Sequence, residues 1–194
     1  MAFAKLADKS APEISIAFVN NATDVYDERP AWADDPIARL RSFGFAVAVI
    51  DLRNFTDSQH HEQLVSTLER YDAIWVGGGN TFYLRWLMAK THAETVIANL
   101  VERGKIYAGG SAGAIVAGPT LKFFDAADDP AAAPEIIWDG LGLIDTVVIP
   151  HIDNEKFAPA TSSINNQLKA AGFTTTPLND NQVLVINGPQ RQIL

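Results

Sequence analysis

The amino-acid sequence predicts a three-layer α/β fold, in which a mostly parallel sheet lies between layers of helices. Short β-branched and apolar runs alternate along the chain with segments that have helical spacing. Several of these runs are apolar without alternation, which is typical of strands buried on both faces. Strand and helix alternation of this kind favours a parallel sheet that binds its ligands at the carboxyl ends of the strands.

Six runs of β-branched and apolar residues predict the strands. In chain order they are Ile14–Val19, Ala46–Ile50, Ala73–Val76, Lys105–Ala108, Thr146–Ile149 and Gln182–Ile186. Between them, apolar residues with a helical period predict helices at Asp35–Phe43, Gln59–Arg70, Thr81–Met88, Ala93–Arg103, Ser111–Ala117 and Ala158–Ala171. The last of these segments could form an antiparallel edge of the sheet. The mixture of alanine, proline and aspartate from Asp125 to Trp138 predicts an exposed excursion.

Length and composition predict one domain that spans residues 1–194. At 194 residues the chain has a length closer to one typical domain, of about 150 residues, than to two. Its 47% hydrophobic and 20% charged residues are ordinary for a globular protein. We expect no signal peptide and no transmembrane span, because the apolar runs are far shorter than the roughly 20 residues that a bilayer requires.

Charge and cysteine content exclude several classes of function. The formal net charge of −8 provides no basic stripe to neutralise phosphates, so we expect neither a nucleic acid nor a membrane as a partner. The chain has no cysteine, which rules out disulfides, thiolate nucleophiles and thiolate metal ligands. Their absence fits a reducing compartment, and we expect a cytoplasmic protein whose chemistry uses oxygen and nitrogen groups.

A turn of small residues connects the fourth predicted strand to the helix at Ser111–Ala117. Its residues, Gly109-Gly-Ser-Ala-Gly113, fit the G-x-S-x-G pattern, in which a strained strand-to-helix turn exposes a serine hydroxyl at the end of a sheet. The strand before it and the apolar helix after it are the setting that this motif requires. Ser111 is therefore a candidate nucleophile. The alternative is a structural turn, since any tight connection favours glycine.

A serine nucleophile needs a base within hydrogen-bond reach, and a third group must hold that base. His151 follows the buried run Thr146–Ile149 and is therefore expected at the carboxyl edge of the sheet. The alternative for His151 is a residue that only caps the strand end. The other three histidines, which we expect to be solvated surface residues, are His60, His61 and His92.

Carboxylates that could orient His151 lie between it and Ser111. They are Asp125, Asp128, Asp129, Glu135, Asp139 and Asp145. The chain order serine, acid, histidine is thus available, and serine enzymes built on strand–helix scaffolds use that order.

A second glycine-rich stretch, Val76-Gly-Gly-Gly-Asn-Thr-Phe82, also follows a strand and opens a helix. Loops of this kind present backbone N–H groups that bind anions, so a phosphate site is one interpretation, but no lysine follows. The favoured interpretation pairs the loop with Ser111. A tetrahedral intermediate needs two N–H donors, here those of Ala112 and Gly79. Asn80 could instead serve only as a helix cap.

A metal hydrolase is a weaker hypothesis. His60, His61 and Glu62 are neighbours in the sequence, but adjacent residues on a helix face apart and cannot easily share one ion.

Three motifs in order resemble the peptidase E family of serine peptidases, which includes α-aspartyl dipeptidase and, more distantly, cyanophycinase. They are Val76-Gly-Gly-Gly-Asn-Thr-Phe82, Gly110-Ser-Ala-Gly-Ala-Ile-Val-Ala-Gly-Pro-Thr120 and Pro150-His151. The resemblance covers roughly residues 14–151. It implies a flavodoxin-like or class I glutamine-amidotransferase-like sheet, with a serine at a nucleophile elbow and neither metal nor organic cofactor.

The resemblance also implies roles for individual residues. Ser111 would be the nucleophile, His151 the general base, and Gly79 with Ala112 the oxyanion donors. Members of the family place a carboxylate shortly after the nucleophile helix. The Asp-Asp-Pro at residues 128–130 is similar to a common family arrangement, which favours Asp128 or Asp129 over Asp125 as the acid.

The sequence leaves the substrate open. Aspartyl specificity needs a cation, preferably an arginine, to receive the substrate carboxylate. The stretch after His151 offers only Lys156, with Lys122 and Arg85 as possible substitutes. We take Asn80 and Lys122 as candidate substrate-binding residues.

The resulting hypothesis is a serine peptidase that acts on dipeptides or small peptides. The alternatives are an esterase or amidase with the same residues, and a non-catalytic α/β domain that binds an anionic ligand.

Overall fold

The computed structural model describes residues 2–57 and 60–194. In this part of the chain the helices are α1 (Ala2–Ala7), α2 (Asp35–Ser42), α3 (His61–Glu69), α4 (Thr81–Lys90), α5 (Ala93–Glu102), α6 (Ala112–Val116) and α7 (Ala158–Ala170). The strands are β1 (Ser15–Val19), β2 (Ala46–Ile50), β3 (Ala73–Val76), β4 (Ile106–Gly109), β5 (Val147–Ile149), β6 (Thr175–Pro177), β7 (Leu184–Asn187) and β8 (Gln190–Ile193).

The central sheet has four parallel strands in the order β2-β1-β3-β4. Strand β2 pairs with one edge of β1, and the chain then crosses over so that β3 pairs with the opposite edge of β1. Because the strand order reverses at this point, a crevice opens beyond the carboxyl ends of β1 and β3, where open α/β sheets bind ligands. The loops that follow β1, β3 and β4 therefore meet at one edge.

Helices cover both faces of this sheet, because successive side chains of a strand point to opposite faces. On one face, Ile16, Phe18 and Ala73 pack with Ile37 and Leu40 of α2. The other face packs against α3, α4, α5 and α6, and its buried strand residues are Ala17, Val19, Ile74 and Val76. The result is three layers with the sheet in the middle.

Two smaller sheets complete the structure. Strands β5 and β6 pair in parallel, with Ile149 opposite Pro177, and α7 connects them. Strands β7 and β8 form an antiparallel hairpin in which Leu184 lies opposite Ile193. This hairpin corresponds to the antiparallel element that the sequence allowed for the late segments.

The predicted α/β fold is confirmed. Each of the six predicted runs overlaps a strand, and each of the six predicted helices is present with ends within about two residues of the prediction. Gln59, where the second helix was predicted to begin, lies outside the described residues. Helix α1 and strands β6 and β8 were not predicted. Strand β6 has only three residues, Thr-Thr-Pro, which are too few and too polar to show a strand pattern.

No helix in the described ranges has both the length and the apolar character that crossing a membrane requires.

Candidate active site

Ser111 lies in a sharp turn between β4 and α6. Its backbone has φ 49° and ψ −113°, which is rare for a residue with a side chain and is typical of a strained turn that presents a nucleophile. The Ser111 carbonyl accepts hydrogen bonds from the N–H groups of Ala114 (2.8 Å) and Ile115 (3.0 Å), which begin α6. The helix therefore holds the strained residue in place and leaves its hydroxyl at the sheet edge.

The glycines around Ser111 allow the turn to pack closely against β3. A Cβ atom on Gly113 would lie 2.2 Å from the carbonyl oxygen of Val76. The Gly113 carbonyl accepts a hydrogen bond of 2.6 Å from the hydroxyl of Tyr107 on β4. Burial raises the pKa of Tyr107, so this hydroxyl stays protonated and remains a donor. A side chain at position 113 would thus push the turn away from the sheet.

We expect Gly113→Ala to lower the free energy of unfolding by about 3 kcal/mol or more, because the added methyl group overlaps a backbone carbonyl that has little freedom to move. The matched control is Gly110→Ala in the same turn, where the nearest atom to an added Cβ is Nε1 of Trp75 at 4.0 Å. That variant should change the free energy by less than about 1 kcal/mol. Urea denaturation would measure both, and equal losses would contradict the prediction.

His151 links Ser111 to a carboxylate. Its Nε2 lies 3.0 Å from Oγ of Ser111, and its Nδ1 lies 2.5 Å from Oδ1 of Asp180. The other oxygen of Asp180 accepts a 2.8 Å hydrogen bond from Nδ2 of Asn154. The hydrogen bonds from Asn154 and then His151 lower the pKa of Asp180, so the carboxylate is ionised. An ionised Asp180 favours a proton on Nδ1 and leaves Nε2 free to accept the serine proton.

The pairing of β5 with β6 positions Asp180. Leu178 donates its N–H to the carbonyl of Ile149 (2.8 Å), and Ile152 donates its N–H to the carbonyl of Leu178 (3.1 Å). Since the strands are parallel, their carboxyl ends lie side by side, and the residues that follow them, His151 and Asp180, come into contact. The three atoms Oγ, Nε2 and Oδ1 are joined in this way across two sheets.

Sequence reasoning missed Asp180. The acid was expected between Ser111 and His151, but the carboxylate that contacts His151 comes after it, so the chain order is serine, histidine, acid. A weak signal exists, because the β-branched run at residues 174–176 follows the helical segment that ends near Ala171. Another strand at that point would have placed the acidic residue after it at the same sheet edge.

The structure brings none of the three predicted acids against His151. Asp128 accepts hydrogen bonds from the backbone N–H (2.9 Å) and the hydroxyl (2.5 Å) of Thr81, at the start of α4. The side chain of Asp129 accepts from the N–H of Ala131 (2.9 Å) and caps a short 3-10 turn. Asp125 is exposed. Their excursion turns toward α4, whereas His151 faces the loop after β6.

The glycine-rich loop after β3 lies against Ser111. A Cβ on Gly78 would lie 3.0 Å from Cβ of Ser111. Gly79 has φ 139°, and a Cβ there would lie 2.2 Å from the carbonyl oxygen of Ala22. Among the described residues, no acceptor is recorded for the N–H of Gly79 or of Ala112. The two N–H groups predicted as oxyanion donors therefore have no acceptor within the described part of the chain.

The two predicted substrate-binding residues lie in different places. Asn80 caps α4, because its Oδ1 accepts from the N–H of Tyr83 (2.9 Å) while its Nδ2 donates to the carbonyl of Asp129 (2.8 Å). Both ends of its amide group are thus used in hydrogen bonds within the protein, so Asn80 has a structural role in the loop. The Lys122 ammonium lies 6.0 Å from the ring of Phe173, beyond the end of α7 that is farthest from His151. A helix of 13 residues spans about 20 Å, so Lys122 is remote from the site.

Of the other two candidate cations, only Lys156 is near the site. Arg85 is buried, with Nε donating to the carbonyl of Asp139 (2.7 Å) and Nη1 2.5 Å from Oε2 of Glu94. The Lys156 ammonium lies 5.2 Å from the ring centroid of Phe157, whose ring is 5.0 Å from the His151 ring. Lys156 and His151 thus lie against the same ring, that of Phe157.

The residues of the metal hypothesis do not form a site. Nδ1 of His60 lies 2.7 Å from Oδ1 of Asp57, and the ring of His61 packs edge-on to that of His92 at 6.0 Å. Within residues 2–57 and 60–194, no group of three or more histidine or acidic side chains could hold a metal ion.

Serine hydrolases use this arrangement, in which a serine on a strained turn contacts a histidine and the histidine contacts a carboxylate. The chain matches the sequence model of peptidase family S51 over residues 2–194. It belongs to that family and is a serine-type peptidase.

Named relatives agree with this assignment. An uncharacterised peptidase of Listeria innocua is 31% identical over 151 residues, which cover 77% of this chain and 70% of the relative. Peptidase E of Escherichia coli is 32% identical over 146 residues, or 75% of this chain, but the match spans only 56% of that longer protein. A 1.5 Å crystal structure of a Listeria monocytogenes protein, provisionally named a peptidase E, superimposes with a TM-score of 0.85 at 25% identity and covers 100% of this chain and 91% of that one.

Proposed function

We propose that the protein hydrolyses dipeptides or small peptides, with Ser111 as nucleophile, His151 as general base and Asp180 as the acid that orients it. The observation that carries the proposal is the continuous chain of contacts from Oγ of Ser111 through the His151 ring to Asp180, at 3.0 Å and 2.5 Å. Relatives that bear the name Peptidase E support a peptide substrate.

In the first step, Ser111 attacks the carbonyl carbon of the scissile amide while Nε2 of His151 takes the hydroxyl proton. The histidine becomes an imidazolium, and the adjacent ionised Asp180 stabilises that charge. Nε2 then gives its proton to the leaving amine, and the amide C–N bond breaks. An acyl ester on Ser111 remains.

In the second step, water attacks the carbonyl carbon of the acyl ester and loses its proton to Nε2 of His151. The bond between that carbon and Oγ of Ser111 then breaks, Nε2 returns the proton to Oγ, and the acid product leaves. The tetrahedral oxyanion of each step accepts hydrogen bonds from the N–H groups of Gly79 and Ala112. Loss of one such donor typically lowers turnover about 100- to 1000-fold. The strain at Ser111 and the fixed Gly79 loop hold these donors in place before the substrate arrives, so they need not reorganise during the reaction.

An aspartyl first residue, which the resemblance to peptidase E implies, would need a cation close to the site. Of the three candidate cations, Lys156 is the one that lies near His151, but it is exposed and carries a single point charge without the planar fork of an arginine. We therefore expect a weaker preference for an acidic first residue than an arginine would provide.

The test is hydrolysis of a dipeptide panel that contains aspartyl-first, neutral and aromatic-first members, together with tripeptides and simple esters, with products identified by mass spectrometry. We expect cleavage of dipeptides to free amino acids. Hydrolysis of esters without cleavage of any peptide would overturn the proposal in favour of an esterase.

A further inference from the structure

Asp128 is a partly buried carboxylate that the proposed mechanism does not use. Its Oδ2 accepts both hydrogen bonds from Thr81, at 2.9 Å from the backbone N–H and 2.5 Å from the hydroxyl. Its Oδ1 has no recorded hydrogen-bond partner among the described residues. One oxygen of the carboxylate is thus fixed and the other is open.

The charge of Asp128 is not balanced by a permanent cation. In the described part of the chain, none of the recorded ion pairs of lysine or arginine includes Asp128. Burial raises its pKa, while the Thr81 hydrogen bonds and the charge of His151 oppose that rise. Burial has removed part of the water that would hydrate this carboxylate. A bound cation would compensate for that loss and stabilise the ionised form.

Asp128 lies at the same sheet edge as the nucleophile. Thr81, which holds it, is two residues beyond Gly79, and a Cβ on the neighbouring Gly78 would lie 3.0 Å from Cβ of Ser111. In a peptide attacked at its first carbonyl, the α-amino nitrogen is two bonds, or about 2.5 Å, from the carbon that Ser111 attacks. The free amino group of such a substrate must therefore enter the region next to this loop.

We propose that Asp128 receives the α-ammonium group of the substrate's first residue through its open Oδ1, so that the enzyme selects peptides with a free N-terminus. This assignment rests on the proposed function, because it places the first residue of a peptide at Ser111. Asp128 thus has a binding role, in contrast to the catalytic role that the family resemblance implied for Asp128 or Asp129.

The test measures binding separately from turnover, in the Ser111→Ala background. Isothermal titration calorimetry would compare Asp-Leu, Ala-Leu and Phe-Leu with their N-acetyl forms, which carry no ammonium charge. We expect the free form of at least one pair to bind about 10- to 100-fold more tightly, as for a hydrogen bond between charged groups. Asp128→Asn, which keeps an oxygen for Thr81, should bring the two affinities close to equal.

The matched control is Asp125→Asn in the same background, because it removes the same charge from an exposed position of the same excursion. It should leave the preference for the free form unchanged. Equal affinity of the free and acetylated forms before the Asp128 substitution, no binding of any form, or a preference that survives Asp128→Asn would each overturn the assignment. A wild type that cleaves no peptide would instead count against the proposed function, and the affinity ratio would still decide the role of Asp128.

Discussion

Ser111→Ala is expected to lower kcat for dipeptide hydrolysis about a million-fold while leaving the fold intact. Loss of the nucleophile removes the acyl-enzyme route altogether, and the oxyanion donors and substrate binding alone retain only a small residual catalysis. The variant should keep its KM or binding affinity, since the hydroxyl is small and, within the described residues, its side-chain hydrogen bond is the one with His151. Steady-state kinetics with a sensitive amino-acid assay would measure the loss.

The thermal unfolding midpoint of the Ser111→Ala variant serves as a control for the integrity of the fold. Alanine has the same backbone preferences as serine at positive φ, so the strain at φ 49° is unchanged and the thermal unfolding midpoint should shift little. A loss of less than about 100-fold, in protein free of wild-type contamination, would remove Ser111 from the mechanism. Gly110→Ala, one residue earlier, serves as a second control for a disturbed turn, because the structure has room for its methyl group.

Asp180→Asn is expected to lower kcat about ten-thousand-fold, the loss that follows when the carboxylate behind a catalytic histidine becomes an amide. An amide cannot stabilise the imidazolium, and its NH₂ group favours the tautomer with the proton on Nε2, which cannot accept the serine proton. Asp180 is about half exposed, at 46% of its side chain, so the substitution should cost little folding stability. Kinetics at saturating substrate would show the effect in kcat.

The same experiment separates Asp180 from the acids expected on sequence grounds. Asp129→Asn, which changes an exposed side chain that caps a short turn, should leave kcat within a few fold of the wild-type value. Asp128→Asn should act mainly on KM for substrates with a free amino group. If Asp129→Asn or Asp128→Asn lowered kcat more than Asp180→Asn, the orienting acid would have to be reassigned to the excursion.

The strands and helices of this protein were predictable because their signals are local. The apolar runs of β1 to β5 lie in consecutive residues, and the helices between them have a regular apolar period, so neither requires knowledge of the tertiary structure. Strand β6 and helix α1 escaped prediction for the opposite reason. Their sequences are short, and in β6 they are polar, so only pairing with β5 makes the residues Thr175–Pro177 a strand.

The sequence by itself determined the α/β class and placed the two glycine-rich loops, Ser111 and His151 just beyond the ends of strands, because those strands can be identified from consecutive residues. Only the tertiary structure decided which carboxylate contacts His151. That contact joins residues 29 positions apart and depends on the parallel pairing of two three-residue strands, for which the local sequence carries almost no signal. The predicted acids failed to reach His151 because the hydrogen bonds of Thr81 and Asn80 draw their excursion to the start of α4.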